Sequence, residues 1–155
     1  MRGVALAASL LGAACQSAVH PDLPPDAPGT ILIVPFAEEM LVPVNPANPA
    51  GPAIGVLRGD PQTGASDMLM RLPKGPIPMH AHTHDYALMV IEGQIQHWGL
   101  EGSQDIAELL GPGSYWFQPR GVAHAHNCVS EFCLVSVHWS GPQDVWLVDV
   151  PEAEG

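Results

Sequence analysis

Seventeen prolines and sixteen glycines are spread so densely through the 155 residues that few stretches could complete a long helix without meeting a breaker. Between the breakers, apolar residues come in short runs: Ala53 to Leu57, Ser66 to Leu72, Tyr86 to Ile91, Gln94 to Leu100, Ile106 to Leu110, Ser114 to Gln118, Phe132 to Trp139 and Val145 to Val150. Turn chemistry separates them at Glu92-Gly93, Leu110-Gly111-Pro112-Gly113 and Ser140-Gly141-Pro142. Short strands at this spacing predict an all-β sandwich or barrel. With 46% apolar and only 14% charged residues there is material for one substantial core, and the length suits a single domain.

The formal charge of −11 leaves no basic surface to neutralise phosphates, so nucleic acid is not an expected partner. Anionic lipid headgroups would repel the same surface. Residues 1–18 read as a leader, in which Arg2 supplies a minimal positive region and Val4 to Ala14 an apolar stretch of eleven residues, too short to span a bilayer. Ahead of Cys15 the small residues suit ordinary signal-peptidase cleavage, while the cysteine itself suits lipoprotein processing and a lipid anchor. Leu11 stands four residues before Cys15, one further than the lipoprotein pattern wants, and a buried N-terminal helix is the third reading. The protein is therefore expected to be exported to the periplasm, with residues 19–30 (including His20) as a tether, 31–150 as the barrel and 151–155 as a tail. Cys128 and Cys133 are spaced either for a hairpin disulfide, which export favours, or as two small hydrophobes. The run Ala87 to Ile91 is apolar on both faces, so its outer face should meet a second subunit in a homodimer or be covered by a strand such as Ile31 to Val34.

The chemistry is concentrated in two segments. In Pro78-Met79-His80-Ala81-His82-Thr83-His84-Asp85-Tyr86, the period of a strand places His80, His82 and His84 on one face. Burying three imidazoles is costly without a partner, and a divalent cation would supply one by accepting their lone pairs. Histidine runs also occur on solvated surfaces, and spacing alone does not decide. In the second segment, Gly113 to Asn127, the turn Pro119-Arg120-Gly121 leads into a strand with His124 and His126 on a common face, so the two histidine-bearing strands can converge.

Together the segments resemble the paired motifs of the cupin superfamily. Gly75, His80, His82 and Gly93 follow the first motif, with Gly75 one residue from its place and Tyr86 where a metal-binding glutamate is usual. Gly113, Pro119, Gly121 and His124 follow the second, with Cys128 at the usual asparagine position and Asn127 just before it. Nineteen residues separate Gly93 from Gly113, and the resemblance spans roughly Ile54 to Val150. The tyrosine in place of glutamate, the phrase Gly113 to Pro119 and the late Val137-His138-Trp139 look like a group of bacterial, often exported cupins of unknown function.

The resemblance implies a double-stranded β-helix, the cupin jelly-roll barrel, with His80, His82 and His124 as metal ligands. Tyr86 shares their strand parity and would point its phenol at the metal's open position as an acid, hydrogen-bond donor or weak ligand. His84 is the rival for a fourth ligand position, or a partner that fixes a ligand ring. Asp85 has the wrong parity, and His126 is read first as a residue that orients a ligand ring. Three imidazoles suit iron, zinc, nickel, copper or manganese without choosing among them. His97 and His138 are read as surface or core polar residues, Trp98, Trp116, Phe117 and Trp139 as core or cavity lining, and Met68 and Met70 as packing. Two functions follow: a metal-dependent enzyme, dioxygenase-like or a hydrolase or isomerase, acting on a small molecule in the cavity, or a non-catalytic cell-envelope protein that binds a metal or small ligand. A barrel that keeps the turns but has lost its metal is the plain structural alternative.

Overall fold

The computed structural model describes residues 31–149. The chain divides into two units, Met1–Ile33 and Val34–Gly155, and every described strand lies in the second. The leader, Cys15, the tether and the tail lie outside the described residues.

After a single 3-10 turn at Glu38–Met40 come nine strands: β1 (Val42–Pro43), β2 (Ala53–Gly59), β3 (Ser66–Ala81), β4 (Tyr86–Glu92), β5 (Ile95–Gly99), β6 (Leu109–Leu110), β7 (Tyr115–Gln118), β8 (His124–Trp139) and β9 (Trp146–Leu147). Among the described residues there is no α-helix, as the breakers predict. The frame is the antiparallel pairing of the two 16-residue strands β3 and β8, which runs from Ser66 opposite Trp139 to His80 opposite His124. The first half of β3 and the second half of β8 form a layer with β1, β2, β4 and β7. Their other halves form a layer with β9, β5 and β6. Two long strands shared between two layers make the double-stranded β-helix.

Runs expected as separate strands prove continuous here, because Ser66 to Leu72 extends to Ala81 and Phe132 to Trp139 begins at His124. Pro73, Pro76 and Pro78 would break a central strand, but β3 is paired with β2 only as far as Arg71 and with β9 only from His80. In between, β3 is paired with β8 alone, an edge-like and bulged setting in which prolines are tolerated. Bulges between Pro73 and Gly75 and between Ile77 and His80 absorb the bend. Three expectations are corrected. Ile106 to Leu110 is strand only at Leu109–Leu110, the described residues of the Val145 to Val150 run are strand only at Trp146–Leu147, and Ile31 to Val34 forms no strand. In the first run the turn at Ile106 and the bend at Ala107 displace the start of the strand. The outer face of β4 and β7 stays open, with Met89, Ile91, Tyr115 and Phe117 each 44–59% exposed.

The core is built from alternating positions: Met68 and Leu72 of β3, Tyr86, Leu88 and Val90 of β4, and Val135, Val137 and Trp139 of β8. The inward parity of β8 changes at its bend, being even through Cys128 and odd from Cys133 onward. Both cysteines therefore point inward and are joined as a disulfide. The β4–β5 turn fits against this bend through Gly93, whose φ of 85° is left-handed and where an added Cβ would lie 2.5 Å from the Phe132 carbonyl oxygen. Gly93→Ala should destabilise the fold by at least about 2 kcal/mol, since backbone strain and a contact with main chain add. A denaturant melt checks this, and a midpoint shift equal to that of Gly64→Ala, where a Cβ meets open space, would refute it.

Candidate metal centre

The bend that joins the layers delivers His80 from β3 and His124 from β8 as direct cross-strand partners, with ring centroids 4.2 Å apart. His82 follows one residue past the end of β3, its ring 5.2 Å from that of His124. All three are buried, and one nitrogen from each lies within 4.8 Å of the others.

Which nitrogen faces inward follows from the hydrogen bonds. Nδ1–H of His80 donates to the Pro78 carbonyl at 2.7 Å, that of His124 to the Val122 carbonyl at 3.1 Å, and that of His82 to the Asp144 carbonyl. A carbonyl only accepts, so each contact assigns the proton to Nδ1 and leaves a lone pair on Nε2. Burial keeps the rings neutral. It lowers the pKa of His80 and His82, and for His124 burial plus the neighbouring His80 brings the value to about 3. Three neutral imidazoles with converging lone pairs form a donor set that suits a divalent transition metal, so the residues fit the ion that the sequence implies.

Tyr86 lies beside this set, with its hydroxyl 3.0 Å from His124 Nε2 and receiving the Trp116 indole N–H at 3.4 Å. Burial pushes its pKa upward, so the phenol stays protonated and donates to the His124 lone pair. His97 forms a layer behind: it stacks on Trp116 at 4.5 Å and donates to Gln118, whose amide in turn donates to the Val122 carbonyl that holds His124. Burial takes His97 to about 4.

Other expected roles are redistributed. His84 is not brought into the cluster. The strand ends at Ala81, so period two stops applying, and His84 lies in the following turn with its ring against the Thr83 hydroxyl. Asp85 is turned away, accepting the Arg120 N–H at 2.8 Å. His126 orients no ligand ring, because neither of its ring nitrogens has a hydrogen-bond partner. His138 is an exposed partner of Asp67. Trp116 and Trp139 line the cavity beside the cluster, whereas Phe117 faces outward. Sequence reasoning missed Asp144. Its carbonyl fixes His82, and its carboxylate accepts the Thr83 N–H at 2.9 Å and hydroxyl at 2.5 Å, locking the loop that carries the ligand. No spacing signal connects positions 61 and 62 residues apart.

Folding holds these imidazoles neutral, so the unfolded chain takes up protons at a higher pH than the folded one. Their contribution to stability is complete above about pH 6.5 and is lost as the pH falls toward the folded values. Between pH 7 and 5 the metal-free protein should lose about 2 kcal/mol from His124 alone. Denaturant melts across that range check this, and a flat profile would contradict it.

A family model described as a domain of unknown function, DUF4437, matches residues 33–145. No curated protein matches the sequence. Among solved structures, KdgF from a Halomonas species superposes with a TM-score of 0.54 at 19% identity, over 67% of this chain and 87% of its own. An RmlC-like cupin from Shewanella frigidimarina gives 0.54 at 19% identity, over 71% and 91%. The DMSP lyase DddQ from Ruegeria pomeroyi gives 0.54 at 21% identity, over 77% of this chain and 62% of its own. At these identities the likeness is one of fold. The chain belongs to the DUF4437 family, and its double-stranded β-helix is the fold it shares with these structures.

Proposed function

We propose that this protein is a metal-dependent enzyme acting on a small molecule in the barrel cavity, with the metal on His80, His82 and His124. The observation that carries the reading is the capping of all three Nδ1 atoms by backbone carbonyls. Carbonyls at those positions orient the rings before any ion arrives, and among the described residues they leave only the Tyr86 hydroxyl on the Nε2 atoms. A bound dication would polarise a ligand oxygen and lower the pKa of a bound water, with iron opening dioxygenase-like chemistry and the other candidates hydrolysis or isomerisation.

Tyr86 is the proposed acid or hydrogen-bond donor. Its proton is directed at the His124 lone pair, and a metal held by that lone pair would leave the hydroxyl free to donate to a molecule in the cavity. Trp116 holds the phenol oxygen meanwhile, and burial keeps the proton on it. Export to an oxidising compartment is part of the same reading, supported by the Cys128–Cys133 disulfide.

The test is metal analysis of the full chain purified without a histidine tag. About one divalent ion per chain is expected, with affinity falling more than about tenfold in His124→Ala. Tyr86→Phe should bind metal as tightly as the wild type or more so, because a competing O–H is removed, while losing turnover. For an envelope protein that only captures a metal or ligand, Tyr86→Phe would change affinity alone. Absence of metal from both wild type and His124→Ala, at equal stability, would end the metal reading.

A further inference from the structure

Beside His80 and His82 the cavity has an inner lobe of about 70 Å³ and an outer lobe of about 330 Å³. Met70, Leu72, His80, His82, His126 and Gln143 border both, so the two are continuous. Two residues that line the inner lobe carry polar groups that no described residue satisfies. Both ring nitrogens of His126 and the indole N–H of Trp139 are closed to solvent and have no hydrogen-bond partner. Buried donors and acceptors left bare are costly, and proteins keep few of them without a use. The surrounding walls, Leu88 and Val137 beside Met70 and Leu72, are apolar. The outer lobe continues that character with Val44, Pro52, Ile77 and Val145.

Charge narrows the class of ligand. No Lys or Arg borders either lobe, Asp144 stands at the outer one, and the chain as a whole carries −11. An anionic head would find no protein cation there. A cationic head would share the lobe with the ion that the three-histidine reading supplies. Neutral donors and acceptors suit an uncharged oxygen. The inner lobe has space for roughly two waters' worth of atoms, enough for a carbonyl or hydroxyl group but not for a sugar ring.

We infer that His126 and Trp139 form a recognition site for the oxygen of a small, uncharged, mainly apolar carbonyl or hydroxyl compound whose carbon chain lies on the outer lobe. This rests on, and makes more specific, the proposed action on a small molecule. His126 and Trp139 thereby act as specificity-determining residues, and His80, His82 and His124 remain the metal set.

The probe is 2-hexanone, titrated against the full chain in zinc-loaded and chelator-treated forms, with tryptophan fluorescence as the readout and hexanoate as the charged control. Saturable binding on the order of 1 mM or tighter is expected in both forms. Hexanoate should bind at least about fivefold more weakly to the chelator-treated protein. His126→Leu should weaken 2-hexanone about fivefold, the effect of one hydrogen bond, while His126→Gln, which keeps a donor and an acceptor, stays within about twofold. Trp139→Phe, which retains an aromatic ring in the core, should show the same fivefold loss and serves if the His126 variants do not fold.

No saturable 2-hexanone binding would overturn the inference and leave ordered water as the occupant of the lobe. Equal affinity for hexanoate, or folded His126→Leu and Trp139→Phe proteins that bind 2-hexanone like the wild type, would overturn it as well. Zinc bound without 2-hexanone sinks this inference alone, and 2-hexanone bound without zinc sinks the metal reading alone.

Discussion

Everything at the candidate centre depends on the register in which β3 meets β8. The two strands pair over their whole length, and their last shared step sets His80 opposite His124. The bulge between Ile77 and His80 makes that step possible. It inserts an extra residue into β3, so Ile77 and His80, which differ in sequence parity, both face the interior beside the cavity. Without it, a one-residue slip would send His80 outward and leave His124 facing a hydrocarbon wall. The bend in β8, closed by Cys128–Cys133, produces the matching change of parity on the partner strand.

Register brings the rings together, and the loops then decide their chemistry. Three carbonyls from three places, Pro78, Val122 and Asp144, each accept one Nδ1–H. The loops are tied to one another as well: Gly121 N–H donates to the His82 carbonyl at 2.8 Å and Ser140 N–H to the Asp85 carbonyl at 3.0 Å. A carbonyl is a uniform acceptor, so the arrangement gives three identical tautomers without using any side-chain carboxylate. That differs from orientation by Asp or Glu, which would add negative charge beside the imidazoles and raise their basicity. Here the rings are held by backbone dipoles, whose upward push on the pKa of His80, His82 and His124 is outweighed by burial.

Much of this was legible in the sequence. The breakers and short apolar runs indicated an all-β chain, and Gly93, Gly113 and Gly121, all with positive φ, marked turns that a motif-based reading could use. His80, His82 and His124 were identified by spacing and resemblance, and the structure gathers those three. What escaped was whatever depends on three-dimensional closure. Period two suggested His84, yet the strand had already ended. His126 shares a face with His124 and was read as orienting a ligand, but backbone carbonyls took that part and left its nitrogens bare. Asp144 acts through its main-chain oxygen, and a main-chain contact leaves no residue-type signature for sequence reasoning to find.

The exchange of glutamate for tyrosine at position 86 has a further physical consequence. A carboxylate there would be an acceptor and would bring a negative charge next to the three imidazoles, favouring a cation by direct Coulomb attraction. Tyr86 does the opposite on both counts. Its protonated phenol donates into the His124 lone pair, so in the metal-free protein it satisfies a nitrogen that would otherwise be bare, and it adds no charge. On the proposed reading the centre would trade ion affinity for stability of the metal-free site, and a dication held by neutral ligands alone would keep its full charge for polarising a ligand. A phenol displaced from His124 would then be the nearest proton donor to that ligand. On the proposed reading, one substitution in the motif would couple the occupancy of the imidazoles to the availability of a proton.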